Sequence, residues 1–370
     1  MLNITYVFVG NRKERYLTNN YESKDFLYGL DYFDKNEFNL QIIEGKLLKF
    51  PLRKVLYFFD ICFQKILSLP VNTFLFLNFN NFKTLLKTDK LILVNETTLC
   101  SMFPVLVFAK IFKNIDVYLF SMGLYSKNIR FPFFKKLHFF FIRLFLFFIK
   151  EVFFLGEGEF NKALNIHPQY YNKFKFSPFS IDTDFWVPDD TINIESRKNI
   201  LFVGNDGNRD TKLFLDIVNI CKEFQFTAVT SLPEILNSDL KNLNVIKGSL
   251  NSMELTDYEI RKLYIKSKFI ILPLKETTQP SGQSVSLQAM SCKRPVLISK
   301  TEGLWDKNNL VNNENIFLIE TRNPEEWKKK IVELIKNEDL LQKVENQARE
   351  LVLNKYTLIT FTERLLKSIN

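Results

Sequence analysis

The 370-residue chain predicts an α/β protein of two Rossmann-like domains whose parallel sheets face each other across a cleft. Three observations predict it. The chain exceeds the ~250 to 300 residues at which a single core stops growing. Strand-like runs ending in small or polar residues alternate with helical periodicity through both halves, the pattern of βα units. With 46% hydrophobic and 25% charged residues, the composition is that of a packed globular chain.

In the first half ITYVFVG, LILVN, VYLF and EVFFLG are the clearest strands, and Phe103 to Phe112 and Phe131 to Ile149 are expected helices. In the second half NILFVG is followed by a helix whose Leu213, Ile217, Ile220, Cys221 and Phe224 keep i, i+4, i+7, i+8, i+11 spacing. The strands FTAV, NVIKG, FIILPL and PVLIS come next. Asn323, Pro324, Glu325 and Glu326 supply an N-cap, a first-turn proline and early acids for a helix through Trp327, Ile331 and Ile335. A last amphipathic helix runs to the C-terminus. The pattern breaks at KFSPFSIDTDFWVPDD, which sets a linker around Ser177 to Asp190 and divides the chain into 1–183, 184–350 and a C-terminal helix at 351–370.

Charge separates the halves. Residues 1–183 hold 24 Lys+Arg against 15 Asp+Glu, whereas 184–370 hold 26 of each, so the whole +9 lies in the first half. Val117 to Lys150 contains no acid, and there Lys127, Arg130, Lys135, Lys136, Arg143 and Lys150 alternate with phenylalanines. Basic plus aromatic composition fits an interfacial helix on anionic lipid, and a buried phenylalanine-rich helix fits equally well, on a different face. Arg143 cuts the apolar run short of the ~20 residues a bilayer span needs.

Other classes lack raw material. The start MLNITYVFVGNRKER does not have the order of a secretory signal, and Cys62, Cys100, Cys221 and Cys292 are scattered, so a cytoplasmic protein without disulfides is expected. With two histidines, His138 and His167, a serine–histidine or multi-histidine zinc mechanism has almost no raw material. No acidic pair suited to a metal ends a strand, since Asp182 and Asp184 belong to the linker. No G-x-G-x-x-G follows any strand, which argues against a nicotinamide dehydrogenase.

The most informative segment is residues 258–306, YEIRKLYIKSKFIILPLKETTQPSGQSVSLQAMSCKRPVLISKTEGLWD. A strand ends in Pro273, a glycine loop at Ser281 to Ser284 opens a helix containing Leu287 to Met290, and Arg294 to Val296 starts the next strand. This order resembles the donor site of retaining GT-B glycosyltransferases of the family-four (group 1) type, with its "LEAMA" helix and "G-x-PV" strand. SPFSIDTDFWVP resembles that family's interdomain "P-x-G-V-D-T-x-x-F-x-P", and ILFVGNDGNRDTK its "VG-R-x-x-x-K-G", so the likeness covers roughly 177–306.

The resemblance implies transfer of a sugar from a nucleotide diphosphate donor, a hexosyl transfer with retention, to a glycan or lipid-linked acceptor in surface polysaccharide or lipopolysaccharide synthesis. It implies a last helix crossing back to the N-terminal domain; no cofactor is expected, the missing acidic pair and the candidate cations point to a metal-free site, and the one-sided basic charge points to a membrane-proximal acceptor and work at the inner face of the membrane, without nucleic acid.

Gly282 lies at the strand-to-helix turn, so backbone N–H groups at Gln283 and Ser284 can meet a diphosphate. Ser281, Ser284 and Gln288 share one helix face, which points Gln288 to the cleft. The family has a ribose-binding glutamate at that position, so restoring Glu there is expected to serve binding at least as well. Pro280 replaces the family's other glutamate, and Glu276 is the loop carboxylate that could substitute. Gly204 allows a tight turn before Arg209 and Lys212, two cations expected to clamp the departing diphosphate, on which negative charge grows in the transition state. In the first half, Gly10 and Arg12 after the first strand, Gly123, and Glu157 as a general base are the acceptor-side candidates. The rivals are a sugar-nucleotide epimerase of the same fold and a non-catalytic anionic-lipid or nucleic-acid binder.

Overall fold

The computed structural model describes residues 1–18, 22–34, 36–46, 53–127, 129, 131–189, 191, 197–248 and 255–369. The chain divides into two compact units. The first comprises Met1–Asn19, Phe26–Pro178 and Thr362–Asn370; the second comprises Asn20–Asp25 and Phe179–Phe361. Chain order and unit membership therefore part company twice: residues just after the first helix belong to the second unit, and the C-terminal residues belong to the first. Arg130 and Asp190, part of the expected basic stretch and linker, lie outside the described residues.

The first unit is a six-stranded parallel sheet of β1 (Leu2–Phe8), β2 (Phe38–Glu44), β3 (Lys90–Leu93), β4 (Asp116–Ser121), β5 (Glu151–Phe154) and β6 (Phe174–Phe176), in the order β2-β1-β3-β4-β5-β6. Its helices are α1 (Arg12–Thr18), α2 (Arg53–Leu67), α3 (Phe79–Lys87), α4 (Glu96–Phe112), α5 (Lys135–Phe148) and α6 (Glu157–Ile166). The central strands are continuous apolar runs because helices cover both faces. One face packs on Leu99, Leu106, Ile142 and Leu146 of α4 and α5. Two strands escaped the sequence reading, β2 and β6, at the two edges where burial is partial and the apolar signal weak. Helix α4 starts at Glu96 and not at Phe103, because Asn95 and Thr98 form a reciprocal capping box. It runs through Pro104, whose usual cost of about 3 kcal/mol is offset by the burial of Leu99, Met102, Val105 and Leu106.

The second unit holds β7 (Asn199–Val203), β8 (Phe226–Thr230), β9 (Leu243–Lys247), β10 (Ser267–Leu272), β11 (Val296–Ser299) and β12 (Phe317–Ile319), all parallel, in the order β12-β11-β10-β7-β8-β9. Around this sheet lie α7 (Thr211–Ile220), α8 (Pro233–Leu236), α9 (Asp257–Lys266), α10 (Gln283–Ser291), α11 (Pro324–Lys336) and α12 (Glu338–Lys355). The last helix, α13 (Leu358–Ile369), begins in the second unit and ends in the first, where Thr362 donates to the Gly29 carbonyl and Tyr118 to that of Ser368. Asn323 caps α11 as expected, accepting from the Glu325 N–H, with Pro324 at the first position.

Candidate functional site

In the second sheet the chain runs outward through β8 and β9, then returns to the other side of β7 with β10. The point between β7 and β10 is thus where strand order reverses, the place where ligands of open parallel sheets sit beyond the carboxyl ends. The loops leaving these two strands are laced together. Arg209 bridges to Leu274, the Asp210 N–H donates to the Pro273 carbonyl (3.0 Å), and the Lys275 N–H donates to that of Asn208 (2.9 Å). Asn208 adds a side-chain bond from Nδ2 to Ser281 Oγ (2.8 Å). Gly204, Ser281, Gly282, Gln283 and Ser284 accordingly belong to one loop pair. Asn208, which ties it, was missed; its signal was only a polar residue in GNDGNRD.

Gly282 is the N-cap of α10 in the left-handed region (φ 73°), and no side chain caps the helix. Its first intrahelical bond is from the Ser286 N–H to the Gly282 carbonyl (2.9 Å), so the preceding N–H groups point out of the helix end, toward which anions are drawn. Lys212, in the first turn of α7, is exposed and meets no partner among the described residues. Glu276 is exposed too, with Oε1 accepting from the Thr277 and Glu302 N–H groups.

Arg209 departs from expectation. Its side chain is 3% exposed and does not project beside Lys212. Nε donates to the Val203 carbonyl (3.3 Å), and Nη1 lies 2.8 Å from the Asp206 carboxylate, outside hydrogen-bond geometry. Burial pushes the guanidinium pKa down. The reason is packing: the guanidinium lies against Gly204, where an added Cβ would sit 2.1 Å from Nε. Gly204 therefore makes room for an arginine, and Asp206 stands where an external anion would pair.

Gln288 needs a larger correction. It is fully buried, donating from Nε2 to Asp25 Oδ2 (2.8 Å) and accepting from the Tyr264 hydroxyl (3.1 Å). Asp25 also accepts from the Asp182 N–H and from Trp186 Nε1 (2.8 Å). Despite these three donors, burial pushes the Asp25 carboxyl up to about 7. Ser284 and Gln288 are one turn apart on α10, but Ser281 lies outside the helix, before the left-handed Gly282, and helical spacing could not foresee that residues 23–25 would cover Gln288. Ser23 donates to Asp257 and the Lys24 N–H to Asp182, which hold that segment in the second unit.

In the first unit, Gly10 and Arg12 follow β1, Gly123 follows β4, and Glu157 opens α6 after β5, all at the carboxyl edge of the sheet. An added Cβ on Gly10 would meet open space. The Arg12 guanidinium lies 5.2 Å over the Phe26 ring, and the Arg12 N–H is held by Glu44. Gly123 is buried in a turn that bonds its carbonyl to Ser126. Glu159, two positions beyond Glu157, is the buried acid: it accepts from Ser121 Oγ (3.1 Å) and the Tyr125 N–H (2.8 Å), and burial, with Glu96 nearby, pushes it up to about 8. Glu96 itself is buried and faces Lys127 at 3.6 Å. Both were legible only as helix-start acids. His138 and His167 are buried and held below their ordinary pKa by that burial, and no group of potential ligands for a metal occurs among the described residues.

The family model described as glycosyl transferases group 1 matches residues 197–337, which contain both laced loops and α10. Residues 197–337 are thus similar to the group 1 glycosyltransferases. An uncharacterized glycosyltransferase of Methanocaldococcus jannaschii is 24% identical over 179 residues, 43% of this chain and 49% of that relative; the match thus spans about half of the relative's length. HepE from Anabaena, solved with UDP and glucose, superposes over 100% of this chain and 99% of its own at TM-score 0.68 and 10% identity. A sucrose-phosphate synthase of Thermosynechococcus elongatus does so at 0.68 and 11%, over 100% and 99%. A glycosyltransferase of Rickettsia africae reaches 0.67 at 15% identity, over 99% and 97%. The fold is therefore GT-B.

Within residues 197–337, Lys293 stands where the resembling "G-x-PV" motif has glycine, and its φ of 55° is the left-handed conformation that glycine serves there. The following Arg294 is fully buried and ion-paired with Glu345 of α12 (3.1 Å), which Arg197 also approaches (3.4 Å). That motif is structural, a brace beneath α10.

Proposed function

We propose that the chain is a glycosyltransferase that moves a sugar from a nucleotide diphosphate donor, held by the second unit, to a glycan or lipid-linked acceptor. One observation carries the donor assignment. At the switch point, the uncapped start of α10 and the exposed Lys212 belong to the two elements whose preceding loops are laced together. Backbone N–H groups and a cation there would stabilise the charge growing on the departing diphosphate without a proton transfer or a metal. The UDP, glucose and UDP-glucose found in HepE agree with such a donor. Glu276, with one oxygen fixed by two N–H groups, is the carboxylate offered to the transferred sugar. Retention and a role in surface polysaccharide or lipopolysaccharide synthesis rest on the resemblance.

We place the reaction at the inner face of an anionic membrane. No helix among the described residues is long and apolar enough to cross one. On α5, however, Lys136, Phe140, Arg143 and Phe147 follow i, i+4, i+7, i+11 and are all exposed, Phe147 by 74%. Phe139, by contrast, packs against the core.

Calorimetric titration with UDP and GDP tests the donor site. Lys212→Ala should weaken the preferred diphosphate by the ~1.5 to 3 kcal/mol typical of a charge-assisted bond, about 10- to 150-fold. Unchanged affinity for both would remove Lys212 from the account, and affinity abolished by EDTA would replace the metal-free reading. An epimerase would interconvert the donor sugar with no acceptor present, which NMR of the reaction detects.

A further inference from the structure

The first unit contains a cavity of about 250 Å3 between α2, α4 and α5. Phe59 and Phe63 of α2, Phe103 of α4, and Phe141 and Phe145 of α5 line it. Its polar wall atoms are already engaged: Asp60 accepts from the Thr73 hydroxyl (2.5 Å) and, at 3.4 Å, from the Phe74 N–H. A cavity so lined has nothing to hold water, and an apolar void of ~150 Å3 in a protein already accepts a benzene-sized guest. It is open on the α2 side, since Phe59 is 56% and Phe63 43% exposed while both line it.

The surroundings state what chemistry could enter. Along α2, Tyr57, Phe58 and Ile66 are exposed as well, more apolar surface than a helix turned to water usually shows. The same helix carries exposed Arg53, Lys54 and Lys65, and α5, packed on it through Phe63 and Phe141 (5.9 Å), carries Lys135, Lys136 and Arg143. Asp60, the sole acid of α2, is buried and bonded, and α5 has none. An apolar mouth between two helices whose exposed charges are all cationic complements a hydrocarbon tail under an anionic head group.

We infer that this cavity takes one hydrocarbon chain of an anionic bilayer lipid, fixing the first unit to the membrane. The inference rests on the membrane reading above and deepens it. A chain moving from bilayer to cavity exchanges one hydrocarbon surrounding for another. The gain comes from removing the rim aromatics from water and from dispersion contacts in a void that otherwise forfeits them. Adsorption by charge alone fades with salt, whereas this contact persists.

The test uses the full chain and vesicles of phosphatidylglycerol, with phosphatidylcholine vesicles as the neutral control. All three native tryptophans, Trp186, Trp305 and Trp327, are buried in the second unit. A Phe63→Trp reporter at the half-exposed rim should therefore be quenched by lipids brominated along the acyl chain. A second variant, Cys100→Phe, fills the cavity wall; with circular dichroism unchanged, it should keep low-salt binding but lose about tenfold in partition at ~0.5 M salt, where charges more than ~4 Å apart are screened. Sedimentation with anionic vesicles while the Phe63→Trp reporter stays unquenched would overturn the cavity and leave the surface reading standing. No sedimentation at low salt would overturn both. A blue-shifted, concentration-dependent reporter signal without vesicles would show a second copy of the chain as the occupant, and also overturn it.

Discussion

The carboxyl edges of the two sheets are built by opposite means. In the second unit, short loops after β7 and β10 are joined mainly backbone to backbone, and glycine, asparagine and serine let them come close. In the first, the edge is held by buried carboxyl groups reaching across elements, Glu159 to the β4 loop and Glu96 toward Lys127. Close backbone approach demands particular residues at fixed spacing and so leaves a motif. Long-range side-chain bracing can be met by many sequences and leaves none. On the proposed assignment, a half that binds a constant diphosphate would carry the first kind of edge, and a half that meets varied acceptors would be free to carry the second.

The sharpest way to break that contrast is at Gln288, where a side chain in the motif-bearing half behaves like the braces of the other. Gln288→Glu would place a second carboxylate against Asp25 in a fully buried site. It should cost about 3 to 5 kcal/mol, as an uncompensated buried charge does. Thermal unfolding near neutral pH should show a drop on the order of 10 °C, and Asp25→Asn should restore part of it. A Gln288→Glu protein as stable as the wild type, with tighter UDP binding, would return this residue to the ribose.

Next in size is Gly204→Ala, whose Cβ would displace the buried Arg209 side chain. We expect about 1 to 3 kcal/mol of destabilisation, the usual range for overpacking, together with weaker UDP binding. Denaturation and calorimetry read the two effects separately, and a variant indistinguishable in both would show that Arg209 has another place to go.

Glu159 tests the acidic edge through pH. Its folded carboxyl holds its proton to about pH 8, far above the ordinary value of 4.5, because burial disfavours the charge. The folded state thus binds more protons than the unfolded one between these values, and stability should fall as pH rises through that window. Asp25, raised from 3.8 to about 7, contributes a slope of the same sign. Glu159→Gln should flatten the first-unit part of the slope in urea titrations spanning that window. An unchanged slope would mean that Glu159 is not the titrating brace.

The smallest effect is expected at Lys293→Gly, which should stabilise by ~1 kcal/mol by relieving a left-handed lysine. A loss of stability would show that the lysine side chain's contacts outweigh the backbone strain.

By itself the sequence determined the α/β class and most of the parallel strands of both halves, because hydrophobic periodicity, glycine at sharp turns and helix caps act over a few neighbouring residues. It put Ser284 and Gln288 one turn apart on a helix, but not what lies against Gln288. Only the tertiary structure decided that residues 23–25 join the second unit and bury Gln288, that Arg209 folds under Gly204, and that Glu159 and not Glu157 is the buried acid. Those outcomes depend on groups up to 263 positions apart competing for the same buried donors and acceptors, and no local spacing records which of them wins.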